Sequence, residues 1–482
     1  PVGCIKSYLE KDYGDQVEVQ LFKDPDQLND VFDREKPQVV GFSNYMWNLN
    51  LCSGIAREIK NAYPETLIVF GGPNFPLEIE KQEAWLRKRP FIDLYLLGEG
   101  EIPFFQVIQQ FSSNLSIEDI KQSDIYGLCT ISDGVFRKVI STRKDETDDQ
   151  PRVSNLNEIP SPYLNGSLDH FLSDTKLVPV LESNRGCPFA CTFCVDGMST
   201  RTVVTKYTPD RLAEELRYIA ERYTGKTLYM TDTNFGMFKE DVEFSKAIKE
   251  IKAEFDYPHY IIASTGKNNK ARVIEVAGNL SGSLRVAASL QSLDEDVLRK
   301  IKRKNISKEQ LVEMSLSLSD STANTYTELI LGLPGDSKEK HVNAVLDLAD
   351  MGFNQIRMHQ LQLLDGSEMN TDPQRATHKF KSVHRILQRS FGIYMLNHKE
   401  LNIAETEEIV VGNETFTEEE YFYCRTFALT IVLFYNERVF FELDRFMINL
   451  SLKYSDFLRF VHDHIVLKAS LESENPIRNE YE

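Results

Sequence analysis

At 482 residues the chain has room for two to four domains, and a hydrophobic content of 41% is enough to build buried cores. Its 73 acidic residues outnumber 55 basic ones, giving a formal net charge of −18 that argues against a broad nucleic-acid-binding face. No apolar run reaches membrane-spanning length, and four of the seven cysteines (Cys4, Cys52, Cys129, Cys424) are scattered, as reduced core thiols in a cytoplasmic protein would be.

Residues 1–150 read as one α/β domain. The chain begins at Pro1 and looks helical over residues 3–11. A parallel domain ordinarily opens with a strand, so a first strand is expected to be missing from this sequence. Strands are predicted at 38–42, 66–70 and 94–97, with helices at 51–62 and 103–111. Continuous apolar strands alternating with helices predict a Rossmann-like parallel sheet covered on both faces. Ligands of such sheets bind beyond the carboxyl ends of the strands. Those ends carry Ser43-Asn44-Tyr45, Gly71-Gly72-Pro73 and Gly98-Glu99-Gly100-Glu101. Glycine there lets backbone approach a bulky flat ligand, although each glycine taken alone also suits a tight strand-to-helix turn.

A connector follows, with short strand candidates at 125–131 and 135–140 and a polar run at 144–150. Residues 151–175 read as a linker, because Ile159-Pro160-Ser161-Pro162-Tyr163-Leu164 is a Pro-rich extended spacer. From 176 to 370 the chain repeats strand-then-helix. Strands are predicted at 177–183, 227–232, 259–264, 284–290, 326–331 and 355–361, with helices between them at, for example, 209–223 and 307–317. Six such units predict a central partial (β/α)6 TIM-like barrel, whose site lies at the carboxyl ends of the strands. Residues 371–482 read as a mainly helical region, dense in Tyr, Phe and Leu over 418–437, and most simply a packed cap.

The first barrel strand leads into Arg185-Gly186-Cys187-Pro188-Phe189-Ala190-Cys191-Thr192-Phe193-Cys194, a Cys-x3-Cys-x2-Cys cluster. Three thiolates can hold three irons of a [4Fe–4S] cube and leave the fourth open to a substrate or cofactor. Pro188 disfavours a helix across the first two cysteines, so the segment can wrap as a loop with backbone N–H groups aimed at sulfur. A structural zinc site would need a fourth ligand, and the nearest candidate, His170, lies across a strand. A disulfide would leave one thiol over.

Cys187, Cys191 and Cys194, with aromatic Phe193 before the last, resemble the radical S-adenosylmethionine (SAM) superfamily. The resemblance implies that the open iron binds the amino and carboxylate groups of SAM and that an electron from the cluster cleaves it to a 5′-deoxyadenosyl radical. It also implies a small-molecule substrate and an electron donor such as flavodoxin or ferredoxin. Residues 37–111, through Val40-Gly41-Phe42-Ser43-Asn44-Tyr45-Met46-Trp47-Asn48 and the two glycine turns, resemble the cobalamin-binding domain that precedes many radical SAM domains. Many such domains give cobalt a histidine from an Asp-x-His-x-x-Gly motif. This chain has no histidine before His170, so a bound cobalamin would have a lower face free of histidine.

On this resemblance, Ser43, Asn44, Tyr45, Gly71, Gly72, Gly98, Glu99 and Gly100 are candidates to line cobalamin. Phe193, Thr231, Asp232, Ser264, Lys267, Ser289 and Gln291 are candidates to line SAM. Asp232 suits an ammonium but equally suits a helix N-cap, and Gln291 stands where many relatives carry Glu. Strand alternation puts Arg357 and His359 on one face, where His359 would meet substrate if that face points inward; a satisfied core histidine is the simpler reading. The expected reaction is methyl transfer from methylcobalamin to an unactivated carbon. The alternatives are a radical cyclisation or rearrangement, and a non-catalytic cobalamin carrier or sensor.

Overall fold

The computed structural model describes residues 2–32, 34, 36–141, 150–280, 282–305, 325–437 and 439–467. The opening helix, Val2–Tyr13, packs Tyr8 edge-on against Phe105 of the helix Glu101–Ser112. Strands β1 (Val39–Ser43), β2 (Leu67–Gly71) and β3 (Leu94–Leu96) then run parallel in that spatial order. Leu67 to Phe70 are all buried, as strands covered on both faces must be.

The sheet is mixed, not purely parallel. β4 (Leu128–Ser132) and β5 (Val135–Lys138) add to its edge antiparallel, so the expected connector strands complete the N-terminal sheet. Their turn is Asp133-Gly134, both at positive φ (50° and 76°), the backbone that a two-residue hairpin requires.

The central region holds β6 (Val180–Leu181), a small antiparallel pair β7 (Asn184–Arg185) and β8 (Thr205–Lys206), then β9 (Thr227–Met230) and β10 (Tyr260–Ile262). β6, β9 and β10 form one parallel sheet. β11 (Val286–Gln291), β12 (Thr325–Leu331) and β13 (Gln355–Gln360) form another. A bridge from Ile261 to Leu284, reinforced by Thr265 Oγ1 donating to the Ala287 carbonyl at 2.8 Å, joins the two along one curved, open wall. The outer face buries Leu228, Ile261, Leu329 and Ile356 against helices such as Pro209–Arg222 and Lys338–Asp350. The helix expected at 307–317 lies outside the described residues.

Residues 381–412 depart from the expected helical cap. They form a long hairpin, β14 (Lys381–Leu396) with β15 (Lys399–Gly412), turned by Asn397 and His398 at φ 50° and 57°. Val383, Ile386 and Leu387 stand at i, i+3 and i+4, which mimics a helix face, while the period-2 stretch Phe391, Ile393, Met395 is exposed and so gives no core signal. Helices return at Glu418–Ile431, opened by a Thr417/Glu420 capping box, and at Phe441–Asn449 and Tyr454–Val461.

The hairpin acts as a strap between regions. Its base packs Ile409 and Val411 into the core of the second sheet, and its tip puts Leu396 and Leu401 into the N-terminal core. Glu405 accepts the Asn50 and Leu51 backbone N–H groups at 2.9 Å, capping the helix Leu49–Ala62 from another part of the chain. Lys399 pairs with Glu58 at 2.5 Å.

Candidate functional site

The cysteine loop follows β6 and curls tightly. Gly186 has φ +103°, and a Cβ there would lie 2.4 Å from the Val203 carbonyl oxygen. A Cβ at Gly197 would lie 2.2 Å from that of Cys191, so the segment after Cys194 folds back on the loop only because it is glycine. Cys187 and Cys191 are buried, Cys194 is half-buried, and all three thiols are free. Asn234 Nδ2 donates to Cys187 Sγ at 3.3 Å, and Arg303 Nη1 donates to Cys191 Sγ at 3.7 Å. Among the described residues no three His, Cys, Asp or Glu side chains are already grouped to hold a metal ion. Burial, then Asp196, pushes the Cys194 thiol up to about 11, so ligation there must also take its proton. Phe193 packs inward beside Ile301, Leu333 and Met369.

Asp232 lies at the end of β9 but is only 2% exposed. Its carboxylate accepts Ser183 N at 3.1 Å, Asn184 Nδ2 at 2.5 Å and Ser183 Oγ. Those contacts hold the chain leading into the cysteine loop rather than a group in solvent. Burial raises Asp232 to about 7 and nearby Asp241 to about 6; Asp241 accepts the Gly236 and Phe238 N–H groups at 2.9 Å. Thr231 and Ser264 are exposed on the concave side, and Lys267 sits 5.3 Å from the Phe189 ring centre, over the loop. Ser289 Oγ donates to Glu328 at 2.7 Å. Gln291 is buried at the bulge that ends β11, with φ 68°.

The carboxyl edge of the N-terminal sheet divides in two. Asn44 is fully buried, and its amide serves the Asn74 carbonyl (2.5 Å) and Tyr95 Oη (3.0 Å). Gly71 and Gly72 approach protein backbone: a Cβ at Gly71 would lie 3.2 Å from the Leu96 carbonyl oxygen, and one at Gly72, 2.5 Å from that of Asn44. Gly98 meets Pro151 in the same way, and Gly100 meets Ile5. Each of these glycines is packed closely against the protein's own chain. Ser43 gives its carbonyl to Asn48 Nδ2 at 2.9 Å. Tyr45 and Trp47, by contrast, stack at 4.5 Å and 9° with Trp47 55% exposed, a flat aromatic surface at the sheet edge. Charged groups that act electrostatically on Tyr45 are Arg201, Glu182 and Asp196, all of the cysteine-loop region.

Glu99 points to that loop as well. Arg185, two residues before Cys187, reaches Glu99 (3.1 Å), Glu101 (2.8 Å) and Glu182 (2.9 Å), and Arg152 also reaches Glu99 at 3.1 Å. Burial alone would depress the Arg185 guanidinium, but Glu182 and Glu101 outweigh it and hold it firmly charged.

Two family models match the chain: the B12 binding domain over residues 2–108 and the radical SAM superfamily over residues 181–348. By these matches the chain contains a radical SAM domain preceded by a B12-binding domain. Among the chain's curated relatives is the cobalamin-dependent radical SAM methyltransferase TokK of Streptomyces tokunonensis. It is 28% identical over 384 residues, covering 77% of this chain and 54% of the relative. Another is the 2-(S-pantetheinyl)-carbapenam-3-carboxylate methyltransferase of Streptantibioticus cattleyicolor, 28% identical over 410 residues, or 83% of this chain and 57% of the relative. The chain thus spans about half the length of these curated relatives. The solved structure of the cobalamin-dependent S-adenosylmethionine radical enzyme OxsB, with aqua-cobalamin and S-adenosylmethionine bound, shares the fold. Its TM-score is 0.60 at 14% identity, over 100% of this chain and 72% of that one.

The radical SAM loop fits a three-thiolate group in kind: three free thiols on one glycine-tightened turn, with a guanidinium and an amide donor at two sulfurs. The B12-binding edge fits a flat ligand through Tyr45 and Trp47. Sequence reasoning missed Asn234, Arg303 and Arg185. Arg185 stood in the cysteine motif and Asn234 two residues after Asp232, but nothing in the run Ile301-Lys302-Arg303 marks Arg303, which reaches sulfur only through the fold.

Proposed function

We propose that this chain carries the B12-binding and radical SAM portion of an enzyme that transfers a methyl group to an unactivated carbon of a small molecule. The observation that carries the reading is the Arg185 network. It ties the Gly98–Glu101 turn of the B12-binding domain to the residue two before Cys187, so that a corrin edge and a cluster loop belong to one rigid interface. Both curated relatives are named as methyltransferases, which supports the same reaction class.

Cys187, Cys191 and Cys194 would hold a [4Fe–4S] cluster. With SAM and methylcobalamin bound, these groups supply an electron, a hydrogen-abstracting radical and a methyl group. The protein's part is positional. Asn234 and Arg303 orient two thiolates and offset their charge. Asp232, through Ser183 and Asn184, fixes the entry to the loop. Thr231, Ser264 and Lys267 stand on the rim toward SAM, and Tyr45 and Trp47 would offer a bound corrin a flat aromatic face in a domain that has no histidine. The strands of the partial barrel give the substrate a concave wall, and the hairpin holds the two domains together. An external reductant such as flavodoxin or ferredoxin fits the need for electrons, and a cytoplasmic setting fits the free thiols.

The test is anaerobic reconstitution with iron, sulfide and hydroxocobalamin, followed by incubation with methyl-labelled SAM and candidate substrates. Labelled methyl in product, lost in Cys191→Ala, is the expected result. 5′-Deoxyadenosine with no methyl in product would move the reading to a cyclisation or rearrangement. Unchanged function in Cys191→Ala would leave only a carrier or sensor.

A further inference from the structure

The concave face of the barrel wall has two unlike halves. Val180, Tyr229, Tyr260 and Ile262, from β6, β9 and β10, are 43–64% exposed there, while their strand neighbours Leu181, Leu228 and Ile261 are buried in the outer core. On the other half, register puts Ser289, Glu328 and Arg357 side by side, with Tyr326 and Gln355 one step below and His359 one step above.

Glu328 is engaged by Ser289 Oγ, which donates to it at 2.7 Å, and by His359 Nε2 at 3.4 Å, while Arg357 acts on it only through the longer-range field. Arg357 lies over the Tyr326 ring at 4.1 Å, and Arg285 approaches the same ring at 5.7 Å. Among the described residues neither guanidinium has a carboxylate within ion-pair distance. Both converge on one neutral oxygen, Gln355 Oε1, at 3.1 Å from Arg357 Nε and 3.4 Å from Arg285 Nη2. An amide oxygen thus sits where an anionic oxygen would satisfy two cations better, because guanidinium donors bind ionised acceptors roughly twice as strongly as neutral ones.

The geometry points to a substrate anion subsite at Arg357 and Arg285, for an amphipathic acid whose carboxylate or phosphate meets the guanidinium pair and whose apolar body lies along Tyr229, Tyr260 and Ile262. This rests on the reading of the barrel as the substrate chamber and adds the class of molecule that enters it. Arg357 is a specificity residue here.

The test uses the reconstituted full chain and three probes: naphthalene-1-acetate, naphthalen-1-ylmethyl phosphate and the uncharged naphthalene-1-acetamide, titrated by ligand-observed NMR. One or both acids are expected to bind at least tenfold more tightly than the amide, and the better acid names the anion. Arg357→Gln should abolish that preference, Arg357→Lys should retain part of it, and Tyr260→Ala should weaken all three probes together. Cluster absorbance reports folding of each variant. Equal binding of amide and acids, no binding of any probe, or a preference that survives Arg357→Gln combined with Arg285→Gln would overturn the subsite. 5′-Deoxyadenosine formation on the same samples separates the two proposals: an intact acid preference without SAM cleavage sinks the enzymatic reading alone, and SAM cleavage without acid preference sinks the subsite alone.

Discussion

On the cysteine loop, directional partners surround the ligands: Asn234 and Arg303 donate to two sulfurs, Asp232 takes three donors from Ser183 and Asn184, and Arg185 forks to three carboxylates. At the edge of the N-terminal sheet the exposed surface is instead a stacked Tyr45–Trp47 pair, in a stretch of sequence with no histidine before His170. The first region suits a group that needs covalent ligands of fixed type and spacing. The second suits a large flat molecule gripped by area. Loss of one ligand should abolish function at the first, and loss of one contact should only weaken it at the second.

The largest expected effect tests that contrast directly. Cys194→Ala should eliminate the iron–sulfur absorbance and the reduced-cluster paramagnetic signal, and with them SAM cleavage, while hydroxocobalamin affinity stays within about twofold. Arg185→Leu comes next. It strands Glu101 and Glu182 and leaves Glu99 with Arg152 alone as a cationic partner, and removal of one partner from such a network costs ~3–5 kcal/mol, readable as a lower urea midpoint. Trp47→Ala should loosen cobalamin about tenfold, from the ~1.5 kcal/mol or so of lost aromatic contact, with iron content unchanged. If Trp47→Ala removed iron as well, the two regions would not be separable.

Two smaller effects sharpen the picture. Glu405→Gln weakens the cap on the helix Leu49–Ala62 and should cost ~1 kcal/mol, because a neutral amide replaces a carboxylate at two backbone N–H groups. Asp232 gives a pH signature. Its folded pKa, about 7, is above the ordinary carboxylate value, so the stability it contributes is full below about pH 4 and is lost as pH rises through 7. The urea midpoint of the protein minus that of Asp232→Asn should therefore be smaller at pH 8 than at pH 5. A difference that grew with pH would show that the carboxylate is ionised in the folded state.

Legibility in the sequence follows the same divide. The cysteine triplet and the strands of the central region are visible because ligation fixes residue types and strands leave either apolar runs or, as in Gln355–Gln360, an apolar–polar alternation; Thr325–Leu331 and Gln355–Gln360 lie within a residue of expectation. The glycine turns were legible as turns but not as packing against Asn44 and Pro151, which come from distant or unpatterned segments. The hairpin was hidden because its apolar residues split between two cores and solvent, leaving no single period to read. Glu99 suggested a ligand contact because it stood in a glycine turn, whereas its partner Arg185 lies 86 residues on.

The hairpin also governs how this protein can be taken apart. Leu396 and Leu401 fill slots in the N-terminal core although they stand about 260 residues after its last sheet strand. Residues 1–150 expressed alone would leave that groove greasy and the start of the helix Leu49–Ala62 without its borrowed carboxylate. Dissection of the two halves therefore calls for supplying residues 381–412 in trans, or grafting them by circular permutation, before either half is judged unable to stand by itself.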